Sequence, residues 1–104
     1  MAHFPLEYLR EKISLATHAL LIRDDVESLK QALHCISLAE RAPVPDPRDE
    51  AARKHWHALK SLIDLGPNEL SEEQRETMRE ALWELNRYLE RAYGKFQAHT
   101  GQSD

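Results

Sequence analysis

The stretch SEEQRETMREALWELNRYLERAYGKFQA, residues 71–98, decides the fold. Met78, Leu82, Leu85, Leu89, Ala92 and Phe96 fall in it at alternating spacings of four and three, which places all six side chains on one stripe of an α-helix. Ala81 and Tyr88 widen the stripe on one flank, and Tyr93 widens it on the other. Ahead of the stripe, Ser71 and Gln74 have the spacing of a capping box, and Glu72 and Glu73 put acids where the helix dipole favours them. The spacing predicts a helix over residues 71–98 with a coiled-coil-like seam, then a polar tail, 100–104, that frays.

Three further helices follow from the punctuation upstream. Gly66-Pro67 ends a segment that Asp46, as cap, and Pro47, at a first helical position, would open, giving a helix over 48–65. Pro43, Pro45 and Pro47 make the connection before it stiff, because each removes a donor and biases its predecessor away from helix. Asp24 or Asp25 caps a helix over 25–41, and Pro5 starts one over 5–22. The expected fold is all-α: a compact antiparallel up-and-down four-helix bundle with helices 1 and 4 supplying most of the core.

Composition agrees. The chain has 104 residues, 41% hydrophobic and 31% charged, with three glycines, which is too apolar for a disordered chain and too poor in glycine for a β-sandwich. One domain over 1–104 is the expectation at this length. A net charge of -4 creates no positive field to draw in a nucleic-acid backbone or an anionic membrane. The longest apolar run is Ala19 to Ile22, far short of a membrane span, and no signal-like segment opens the chain. A lone cysteine, Cys35, rules out an intramolecular disulfide, so a reducing cytoplasm is the expected setting.

Two features stand out against the bundle pattern. Helix 1 carries one seam of Leu6, Leu9, Ile13, Ala16 and Leu20 and a second of Phe4, Tyr8, Leu15, Ala19 and Ile22, too wide an arc for a single neighbour. Trp83 projects onto the polar side of helix 4, where Arg79 and Arg87 stand one turn either side of it. Helix 2 is ordinary, with Val26, Leu29, Ala32, Leu33, Ile36 and Ala39 on one arc. The second seam of helix 1 and Trp83 make Phe4, Tyr8, Leu15, Ile22 and Trp83 the candidate partner-binding residues.

No catalytic signature accompanies them. His55 and His57 stand two apart on a helix and point about 200° away from each other, so they cannot share an ion. No helical zinc or di-metal spacing occurs, and metal, cofactor and small-molecule substrate are all absent from the expected function. Cys35 and His34 are adjacent and point apart, so an inert thiol is expected. The glycines are dispersed, which excludes a phosphate-cradling loop.

Arg48 and His55 are an arginine, six residues and a histidine on one predicted helix face. That spacing resembles the ribonuclease motif of the prokaryotic HEPN-type family, and the resemblance implies a metal-independent ribonuclease acting at a dimer interface. Against this, His55 falls within an arc of Ala51, Ala52, Trp56, Leu59 and Leu62, as a core or near-core histidine would. Arg75, Arg79, Arg87, Arg91 and Lys95 recur about every four residues of helix 4 and offer a nucleic-acid alternative, but interleaved glutamates offset them. The leading expectation is a non-enzymatic protein-protein interaction module. It would be a small cytoplasmic regulator or adaptor of bacterial or phage type, acting as a homodimer.

Overall fold

The computed structural model describes residues 4–22, 25–42 and 46–101. They form four helices and no strand: α1 (Glu7–Ile22), α2 (Val26–Arg41), α3 (Glu50–Lys60) and α4 (Glu72–Gly101). Three of them begin where a side-chain oxygen takes a backbone N–H that the first turn leaves without a partner. The N–H of Ser28 donates to the Asp25 carboxylate at 2.9 Å, and that of Ala52 donates to Asp49 at 3.0 Å. At α4 the capping box closes in both directions, Gln74 N–H to Ser71 Oγ at 3.1 Å and Ser71 N–H to Gln74 Oε1 at 2.9 Å. Replacing Ser71 by alanine should therefore lower stability by ~0.5–2 kcal/mol in urea unfolding, while Ser71→Asp should retain most of it.

Several expected boundaries move. Helix α3 starts at Glu50 with Asp49 as its cap, so the Asp46 cap and the first helical position for Pro47 do not form. Pro47 is instead buried, and the Asp46 carboxylate receives His57 Nε2 at 3.3 Å. The same helix ends at Lys60 instead of reaching Leu65, because the chain tightens into turns in which Leu62 N–H bonds to Leu59 O and Leu65 N–H to Leu62 O. Leu62 stays buried through this change, which is why the apolar pattern continues past the helix. Pro5 lies in the turn before α1, and α4 continues to Gly101, into the stretch expected to fray.

Helix α1 packs on both α2 and α4, α4 packs on α3, and α2 meets α3 only lightly. Arg10, early in α1, pairs with Glu90, late in α4, while Leu21 at the end of α1 shares a groove with Arg79. The two helices are therefore antiparallel. Asp49 at the start of α3 lies beside Arg91 and Lys95 of α4, so that pair is antiparallel as well. The bundle measures 50 × 24 × 21 Å, its long axis matching a 30-residue α4 at about 1.5 Å per residue.

All five residues of the first α1 seam are buried, as are Met78, Leu82, Leu85 and Leu89 of α4. Helix α2 contributes as fully, through Leu29, Ala32, Leu33, Cys35, Ile36 and Ala39, so the core is not chiefly the work of helices 1 and 4. Val26 departs from its expected arc and is exposed, being the first residue of α2 and ahead of the turn that packs. Among the described residues, no helix is long and apolar enough to cross a membrane.

Candidate interaction surface

A shallow apolar groove of about 200 Å³ runs between α1 and α4. Leu20 and Leu82, both buried, line it together with Thr17. Thr17 is buried too, but its hydroxyl donates to the Ile13 carbonyl at 2.7 Å, so its polar atom is satisfied within the helix. Leu21 and Trp83 form the rim, 66% and 50% exposed. These are large values for side chains whose burial contributes ~1.5–3 kcal/mol each.

Toward the other end of the same two helices, one cation ties the surface shut. The Arg10 guanidinium donates to Glu7 at 2.9 Å and to Glu90 at 3.0 Å, and lies 3.8 Å from the centroid of the Tyr93 ring. The hydrogen bond with Glu7, more than that with Glu90, raises its pKa above the ordinary arginine value despite partial burial. Beyond it, Phe4 meets the rings of Tyr93 and Phe96 at 5.5 Å each. The α1/α4 surface is thus apolar at one end, with a salt bridge and aromatic packing at the other.

The structure disperses the second seam of helix 1. Phe4 precedes the helix and packs within the chain against α4, so it does not continue a helical seam. Tyr8 and Leu15 are exposed, Tyr8 with the Lys12 ammonium 5.3 Å from its ring and Leu15 at the mouth of a cleft against α2. Ala19 is half-buried in that cleft, and the Ile22 side chain lies outside the described residues. Because α1 touches two neighbours, the first seam is covered within the bundle, while Tyr8 and Leu15 of the second remain exposed. Trp83 is on the surface as its position predicts, and Arg87 is drawn to Glu84 at 3.7 Å.

Leu21 is the rim residue that sequence reasoning missed. The signal was present in the run Ala19 to Ile22, since four consecutive apolar residues at about 100° intervals cannot all face the same core.

The residues of the alternative readings lie apart. Arg48 sits in a bend ahead of the Asp49 cap, so it shares no helix face with His55. Arg48 lines a cleft with Phe4, Asp46 and Tyr88, and His55 is not part of that cleft. His55 itself is half-buried on α3. The basic residues of α4 drift by about 40° at each four-residue step, so they wind around the helix instead of forming one stripe. Arg75 and Arg79 are half-buried, whereas Arg91 and Lys95 border α3 beside Asp49.

Burial pushes the Cys35 thiol up, more strongly than nearby Lys12 lowers it, leaving it protonated at neutral pH. Among the described residues, no three His, Cys, Asp or Glu side chains are grouped to hold a metal ion. The polar contacts that spacing did not suggest are those of Asp46 with His57 and with Lys60, at 3.3 and 3.8 Å, which tie the α2–α3 connection to α3. Their exposure limits them to a small contribution. No protein-family profile, curated protein or solved structure matches this chain significantly.

Proposed function

We propose that this chain is a non-catalytic helical interaction module, a regulator or adaptor that docks a protein partner on its α1/α4 face. The observation that carries the reading is the pairing of Leu21 and Trp83, both exposed, on the rim of an apolar groove. A tryptophan beside a buried apolar floor is the kind of side chain that dominates binding energy in protein interfaces. Exposed apolar groups brought together also mark interaction sites more reliably than the same groups scattered.

The test is photo-crosslinking in cells of the source organism, with benzoylphenylalanine placed at position 21 or 83 and, as a control, at exposed Arg53 of α3. Positions 21 and 83 should each yield the same discrete protein adduct, and position 53 should not. Absence of an adduct from both rim positions, or equal adducts from all three, would sink the reading.

A further inference from the structure

Resting on the reading of the α1/α4 face as a docking surface, we infer that its occupant is a second copy of this chain. The two copies are related by a two-fold axis parallel to the helices, so that α1 of each lies on α4 of the other. The contacts between α1 and α4 set the levels along the bundle. Phe4 stands level with Phe96, Arg10 with Glu90, and Leu21 with Arg79 and Trp83. A two-fold axis along the helices keeps every level and exchanges α1 for α4. Each Leu21 then meets the partner's Trp83, and each Trp83 meets the partner's Leu21. The rim is self-complementary.

Charge selects the same arrangement. Glu11 is exposed on α1, one residue past Arg10, and makes no ion pair among the described residues. Its level on α4 falls near Leu89, and the basic residue on the outer side of α4 there is Arg87, which among the described residues pairs with Glu84 of its own helix at 3.7 Å. Exchange of α1 for α4 brings each Glu11 to the partner's Arg87, beside the partner's Glu90, whose carboxylate is already held by the Arg10 of its own chain. The competing arrangement, two α4 helices crossing antiparallel at Trp83, sets Arg79 against the partner's Arg87 and Glu76 against the partner's Glu90. Like charges then oppose each other on both sides of the tryptophan.

Size fixes the strength. A 16-residue α1 is about 24 Å long, and two helices side by side are about 20 Å wide, so roughly 500 Å² per copy is covered. The total, about 1,000 Å², is at the low end for a specific interface, so the dimer is weak and concentration-dependent.

Sedimentation equilibrium on the full chain tests this. The parent should show a monomer–dimer equilibrium in the micromolar range. Glu11→Arg and Arg87→Glu should each weaken it by ~10-fold or more, since each opposes like charges at two symmetry-related places. The double variant Glu11→Arg/Arg87→Glu restores both pairs with reversed polarity and should return to within about threefold of the parent. Trp83→Ala should be monomeric, and circular dichroism should show every variant helical, all of these sites being on the surface.

A parent that stays monomeric at millimolar concentration overturns the inference, and so does a double variant weaker than either single one. A Trp83→Ala chain that dimerises like the parent overturns it as well. A benzoylphenylalanine adduct at position 83 with a different protein, alongside a monomeric parent, would end self-association while leaving the interaction module standing.

Discussion

Alanine in place of Trp56 should remove a large fraction of the stability of the protein, while the same change at Trp83 should cost only a small fraction as much. Trp56 is 2% exposed and sits in the middle of α3. That helix has 11 residues, too few to persist alone, and is held chiefly by α4. Truncating a buried aromatic costs ~3–5 kcal/mol, against a total of ~5–15 kcal/mol for a domain of ordinary stability. Trp83 gives up an indole that is already half in water. Urea unfolding followed by far-ultraviolet circular dichroism decides the pair of substitutions. Equal losses would show that Trp83 is packed as firmly as Trp56.

Leu85→Ala is expected to have the next largest effect. Leu85 is fully buried halfway along α4, the helix that packs on both α1 and α3. The cost should be ~2–5 kcal/mol, including the cavity left between neighbours that cannot close on it. With a urea slope of roughly 1–3 kcal/mol per molar, the midpoint should fall by about 0.7 M or more while the slope is unchanged. Leu85→Met conserves volume and should cost less than ~1.5 kcal/mol, which separates loss of packing from substitution as such. A midpoint that stays put in the alanine variant would mean the site relaxes freely.

Much of this arrangement is written in spacing. The first α1 seam, the stripe from Met78 to Leu89 and the Ser71–Gln74 box all appear in the structure where periodicity and capping chemistry put them. Spacing fails where two residues compete for one role. Asp46 before Pro47 and Asp49 before Glu50 are both plausible caps, and burial of Pro47 together with the pull of His57 and Lys60 on Asp46 leaves the cap to Asp49.

Spacing also fails where a pattern outlasts its helix. Leu62 keeps its place in the core although α3 ends at Lys60 and the chain goes on in tighter turns. The surface was half legible for a related reason. Projection finds Trp83 because it breaks the pattern of a single helix, whereas the groove beside it needs the pairing of α1 with α4, which no single-helix projection contains.

The meeting of Phe4 with Phe96 brings the start of α1 and the last turns of α4 to the same end of the bundle. The two helical hairpins, α1 with α2 and α3 with α4, can therefore exchange their order in the chain without exchanging places in space. A circular permutant, joined from the end of α4 to the start of α1 by a short glycine-rich bridge and opened between α2 and α3, retains every helix pairing and cuts only where those two helices touch lightly. What specifies this bundle is which faces meet, and the direction in which the chain visits them is incidental.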